Sequence, residues 1–220
     1  MTSVFSVVKT VKGVWVMGKI IKVDFSRKGA KTKKASAEVY QLKIVLAGTQ
    51  PPVWRRVQVP GNVSLGKLHK VIQICMGWSG LHMHHFVVGR ECYAPPAKGD
   101  DWGAAQVIDE ARVKLGDLKV KIKKSFLYEY DFGDSWQHVI HVEKVIAAKE
   151  TILKYPVLLD GGRACPPEDI GGIPGCEDFL AALQKPESEE HAEMIEWYGS
   201  DFDPDRLDIA AINKLLKKLR

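Results

Sequence analysis

The stretch Tyr128-Glu-Tyr-Asp-Phe-Gly-Asp-Ser-Trp-Gln-His138, with its flanks from Lys124 to Ile146, decides the reading of the fold. Lys124 to Asp131 and Trp136 to Ile146 read as two long strands, and Phe132-Gly-Asp134 between them reads as the turn of a hairpin. Gly133 permits the positive φ of a tight turn, and Asp131 and Asp134 are residue types that accept turn amides. Residues two apart on a strand share a face. Phe126, Tyr128 and Tyr130 therefore point one way and Glu129 and Asp131 the other, while Trp136 and His138 share a face across the turn.

Working outward, Tyr40, Leu42, Ile44 and Leu46 alternate on one face of a strand, Gly48 to Pro52 supplies a turn, and Val53 to Val59 alternates again. Ser64 is suited to cap a helix running to about Met76, because Leu65, Leu68, Val71, Ile72 and Cys75 recur at helical spacing before Gly77. His82 to Val88 reads as a strand that Glu91 to Tyr93 continues past Gly89. Pro95 to Gly103 reads as a loop, and Leu115 to Leu118 as a short helical turn. Beyond Tyr155, loops rich in Gly and Pro give way to helical stretches near Cys176 to Gln184, Ser188 to Tyr198 and Pro204 to Leu219. Strands first and helices last predict an α+β fold. Its sheet is mixed or mainly antiparallel and built from hairpins, with helices packed beside it and a helical C-terminal third.

At 220 residues with 45% hydrophobic content, the chain has ample material for one buried core. Residues 1–38 carry nine Lys or Arg and two acids, whereas the remainder carries 23 bases and 25 acids. The formal charge of +5 thus belongs to the N-terminal extension, and the 39–220 domain lacks the basic face usual for nucleic-acid binding. Ser26 to Ala37 reads as a Lys-rich flexible linker, through which a nucleic-acid contact would be made if there is one. Met17 offers an alternative start of translation. No run reaches the ~18 apolar residues of a membrane span. The Lys9, Lys12, Lys19 and Lys22 spacing does not suit a secretory signal, so the expectation is a soluble, cytoplasmic protein that makes no membrane contact. Cys75, Cys92, Cys165 and Cys176 form no Cys-x-x-Cys motif. Cys165 and Cys176 flank a Gly- and Pro-rich loop where free thiols, a bridge or two metal ligands all remain open.

Reactive groups concentrate in three places. Tyr128, Tyr130, Asp131, Asp134, Trp136 and His138 form an aromatic wall beside carboxylates and an imidazole, suited to a flat or cationic ligand or to a hairpin core. Asp131, Asp134 and His138 are the candidate catalytic groups, since two carboxylates and a histidine suffice for acid–base chemistry. Trp78-Ser-Gly-Leu-His82-Met-His84-His85 places His82 and His84 on one strand face, where with Asp131 and His138 they are candidate ligands for a divalent metal. The third place, Arg163 to Gly175, matches neither a Walker nor a dinucleotide fingerprint. Amides around Gly171 and Gly172 form either an anion nest or a rigid structural loop. Trp54-Arg55-Arg56 sets two guanidinium groups beside an indole, a pairing that suits phosphate or carboxylate. On a strand they face opposite ways, so at most one joins a given pocket, and a salt bridge to the acidic stretch Glu187 to Asp205 is the plainer explanation. That acidic stretch suits a protein partner.

Several segments resemble the plasmid pRi open-reading-frame-three-like family, met also as passenger proteins of insertion elements. They are Gln50-Pro-Pro-Val-Trp-Arg-Arg56, Leu68-His69 with Met76-Gly-Trp78, His82 to Phe86, Tyr128 to His138, Pro166-Pro-Glu-Asp-Ile-Gly-Gly172 and Phe202-Asp-Pro204. The resemblance spans about Tyr40 to Asn213 and implies an α+β fold, with no established activity attached. The expectation drawn from residues and resemblance together is a non-enzymatic binding module without a required cofactor, holding a protein or small polar ligand. Its ligand-binding candidates are Trp78, His82, Tyr128, Tyr130, Asp131, Asp134, Trp136, His138, Glu168 and Asp169. The alternative is a metal-dependent hydrolase or nuclease using His82, His84, Asp131, Asp134 and His138, and a further one is a DNA-associated accessory protein acting through the Lys-rich arm.

Overall fold

The computed structural model describes residues 38–96, 107–147, 149–150, 153–199 and 202–219. The readings of the N-terminal extension, of its Lys-rich linker and of most of the Pro95 to Gly103 loop fall outside them. Among the described residues the chain runs β1 (Val39–Leu46), β2 (Trp54–Pro60), α1 (Leu65–Met76), β3 (His84–Val88), β4 (Glu91–Ala94) and β5 (Val107–Asp109). A 3-10 turn (Leu115–Leu118) precedes β6 (Ser125–Tyr130), β7 (Trp136–Ile146), β8 (Val157–Gly162), α2 (Gly172–Leu183), α3 (Glu189–Tyr198) and α4 (Ile209–Leu216). The strands form one eight-stranded sheet in the order β5-β4-β3-β6-β7-β1-β2-β8. All neighbours are antiparallel except β4 and β5, which makes the sheet mixed and the fold α+β.

β6 and β7 lie at the middle of this sheet, with Tyr128 opposite His138 and Tyr130 opposite Trp136. One face carries Leu42, Ile44, Val57, Phe86, Tyr128, Trp136 and Ile140, all fully buried. α1 packs over that face through Leu65, Leu68, Val71 and Ile72, each fully buried, and removing such a side chain from water contributes about 1.5–3 kcal/mol. Its ends are set locally. The Ser64 hydroxyl accepts the Lys67 amide at 3.3 Å, and Gly77 closes the helix at φ 89°, a conformation that costs glycine little.

The far edge of the sheet is β8, which was read from sequence as loop because Gly161 and Gly162 break its apolar run. A Cβ on Gly162 would lie 2.7 Å from the Trp54 indole nitrogen, so the indole occupies the space a side chain would need. The outward backbone of Leu158 is paired by a side chain. Asn213 on α4 accepts the Leu158 amide at 2.8 Å and donates to its carbonyl at 2.9 Å, satisfying groups that an edge strand leaves open.

Candidate functional site

The Pro166-Pro-Glu-Asp169 loop, the Trp78 to Met83 segment ahead of β3, and the β6–β7 turn come together at one end of the sheet. Trp78 donates its indole N–H to the Pro166 carbonyl at 2.8 Å. Glu168 locks the three segments, accepting the Ser79 amide at 2.8 Å, the Ser79 hydroxyl at 3.0 Å and the Tyr130 hydroxyl at 2.5 Å. Burial, then the bond to Glu168, raises the Tyr130 pKa, which keeps the phenol as the donor.

On this platform His82 sits between two carboxylates, with Nδ1 3.6 Å from Asp131 and Nε2 3.3 Å from Asp169. One ligand atom from each of the three residues lies within 4.8 Å of the others, the geometry of a possible cation site. Asp131 is nearly buried, His82 partly exposed and Asp169 open to solvent. Asp131 and Asp169 adopt left-handed backbone conformations at φ 56° and 60°, uncommon for residues other than glycine although Asp tolerates them better than most. At Asp131 the conformation is held by the Asp131 amide donating to Met83 O at 2.8 Å, by the Ser135 amide donating to Asp131 O at 2.6 Å, and by the carboxylate accepting Gly133 N at 3.0 Å.

The other sequence candidates go elsewhere. His82 precedes β3 and so escapes strand alternation, while His84, inside the strand, turns into the core to meet Glu110 at 3.0 Å. It also stacks on His69 with ring centroids 3.6 Å apart, so His82 and His84 do not share a ligand. Strand geometry placed Asp131 beside Glu129, but β6 ends at Tyr130 and the positive φ redirects the carboxylate toward His82. His138 is fully buried with Nδ1 3.0 Å from the Trp136 carbonyl, and burial lowers its pKa to about 4. Tyr128, Tyr130 and Trp136 are fully buried as well, with Trp78 stacked on Tyr130 at 5.3 Å, so these rings form the floor beneath the platform. Asp134 accepts the Gly171 amide at 3.2 Å, so one of the amides read as an anion nest is engaged by a carboxylate of the protein itself.

All four cysteines are free thiols. The two adjacent arginines also depart from expectation. Arg56 pairs with Glu143 at 2.8 Å and with Asp160 at 3.0 Å, and Arg163 is the residue that reaches the acidic stretch, meeting Asp205 at 2.7 Å. Arg55 turns inward and is 2% exposed. Its signal was present in the sequence, since Arg55 has the same parity as Val53, Val57 and Val59 and therefore belongs to the core face.

These features define an α+β domain with a mixed sheet and a loop-built polar platform at one end. The chain belongs to the family described as plasmid pRiA4b ORF-3-like protein, whose profile matches residues 38–211. It is 40% identical over 185 residues to the uncharacterised protein y4hQ of Sinorhizobium fredii (strain NBRC 101917 / NGR234), covering 83% of this chain and 93% of that one. It is also similar to the crystal structure of MM3350, a protein of unknown function from Methanosarcina mazei Go1. There the identity is 37% and the TM-score 0.70, covering 80% of this chain and 97% of that chain. Among the described residues, no helix is long and apolar enough to cross a membrane.

Proposed function

We propose that this domain is a non-enzymatic binding module that holds a positively charged ligand at His82, Asp131 and Asp169. The ligand is a divalent cation or a cationic group on a small polar molecule or protein partner. The observation that carries the reading is the meeting of three donor groups from three separate segments within 4.8 Å, on a platform fixed by Glu168. With the imidazole neutral the cluster bears two negative charges, which favours a cation at close range. The five-residue catalytic constellation is not assembled: His84, Asp134 and His138 are each committed to other partners.

A metal-dependent hydrolase is the second reading, and the donor set favours it to a degree. One imidazole and two carboxylates suit a divalent ion with open positions, at which water would become a nucleophile. Calorimetry and thermal shift on the full chain with Mn²⁺, Zn²⁺, Mg²⁺ and methylguanidinium test both. Binding of at least one cation is expected, weakened about ten-fold in Asp131→Asn and Asp169→Asn, because Asn keeps the left-handed backbone and loses the charge. The absence of both binding heat and thermal stabilisation with all four ligands would overturn the proposal. Turnover of a chromogenic phosphodiester by the metal-loaded wild type, absent in both variants, would move the assignment to hydrolysis.

A further inference from the structure

We infer that Arg55 anchors a second binding pocket, separate from the His82 cluster, whose ligand is a small organic monocarboxylate with an apolar body. β2 sends Arg55 into the core in register with Ile44. There Nε donates to the Cys75 carbonyl at 2.7 Å, and Nη1 donates to the carbonyls of Trp54 and Gly162 at 2.9 Å each. Those three bonds fix the plane of the guanidinium and use two of its three nitrogens. Nη2 has no acceptor among the described residues, and Arg55 lines a cavity of about 440 Å³.

Arg55 has no directly paired counter-ion among the described residues, and burial is the leading reason that its pKa is lowered. A guanidinium nevertheless stays protonated in proteins. The neighbouring Cys75 and Cys165 supply no counter-charge, because burial pushes the Cys75 thiol up to about 12 and the Cys165 thiol higher still. A buried cation held only by carbonyl dipoles is costly unless an anion joins it.

The walls narrow the chemistry. Met76, Trp78, Phe202, Leu207 and Ile212 form an apolar patch in a wall that is otherwise polar, room for a small hydrocarbon or aromatic body beside the charged groups. Glu168, Asp203 and Asp208 line it too, and their charges disfavour a dianionic phosphate over a monoanion, while Arg206 adds an exposed cation. A single free guanidinium nitrogen also matches one carboxylate oxygen better than the three-fold array of a phosphate. The pocket shares no ligating atom with His82, Asp131 or Asp169, although Trp78 and Glu168 border both, so cation binding is measured alongside in each variant to tell the two sites apart.

The experiment is calorimetry on the full chain with benzoate, hexanoate, benzyl alcohol, phenyl phosphate and inorganic phosphate. Benzoate or hexanoate is expected to bind at least about ten-fold more tightly than the neutral alcohol and than either phosphate. Arg55→Gln is expected to abolish that preference, with circular dichroism reporting whether it folds. Ala164→Leu narrows the cavity while leaving Arg55 in place, and is expected to weaken the carboxylate about ten-fold at an unchanged melting temperature. This variant decides the matter if Arg55→Gln fails to fold. The inference falls if neither carboxylate binds at about 10 mM, if the alcohol or a phosphate binds as well as benzoate, or if Ala164→Leu has no effect.

Discussion

Tyr128, Tyr130, Trp136 and His138 lie within a few residues of Asp131, yet the four rings are sealed within the core while Asp131 joins groups that reach solvent. The first set is placed by the sheet, in which register and pleat leave no choice of face. The second is placed by loops. Its backbone leaves the strand at a left-handed Asp131, and its partners arrive from two other segments. One stretch of sequence therefore serves two purposes, an aromatic floor and a polar surface mounted on it, joined at the Tyr130 hydroxyl.

The strongest way to break the division is at the floor. Trp136→Ala removes a fully buried indole that packs against Trp78 at 5.5 Å, and a loss of about 3–5 kcal/mol is expected in urea unfolding. Acid attacks the same floor, with a summed effect over its pH range at least as large. His69 and His138 are held neutral in the folded protein, mainly by burial, with pKa values lowered to about 3 and about 4. The unfolded chain takes up protons near pH 6.5 and the native chain does not, so stability is fully present above about pH 6.5 and is lost as pH falls toward 4. Each histidine contributes on the order of 1.4 kcal/mol per pH unit in that window, measurable as a falling urea midpoint between pH 7 and 4.

A smaller change sharpens the same contrast. The Tyr128 hydroxyl lies 2.8 Å from His69 Nδ1 and accepts from Gln73 at 2.9 Å. Tyr128→Phe should cost about 1–3 kcal/mol by stranding these buried partners and leave cation binding intact. The least effect on folding belongs to the rim. Asp169→Asn should move stability by less than about 0.5 kcal/mol while weakening cation binding, since Asp169 is exposed. A variant at Asp169 that unfolds the protein, or one at Tyr128 that abolishes cation binding, would mean that floor and rim are one unit.

How much of this was legible follows from which interactions are local. The α+β class could be read from periodicity, which leaves the sheet either mixed or mainly antiparallel, and α1 with Ser64 and Gly77 at its ends is dictated by neighbours in sequence. β8 was missed because Trp54 and Asn213, remote in sequence, supply what Gly161 and Gly162 lack. β5, three residues long and parallel to β4, is too short to carry a period. At the candidate site His82, Asp131 and Asp169 were all named, but the pattern wrongly joined His82 to His84 and His138. Alternation fails just where the chain leaves a strand, and both His82 and Asp131 lie one or two residues beyond such an end. For Trp54-Arg55-Arg56, alternation shows that one arginine at most faces a given pocket, and the core parity of Arg55 identifies which one turns inward.

The pairing of Asn213 with both backbone groups of Leu158 bears on how this protein behaves in company. Its carboxamide imitates one residue of a ninth strand, so a second molecule seeking to extend the sheet at β8 finds the Leu158 backbone already satisfied. The matched family region stops at residue 211, two positions short of that side chain. A chain trimmed to that limit would lose this cover at the sheet edge together with the fully buried Leu216 of α4, so edge-to-edge association and a weakened core would arise together.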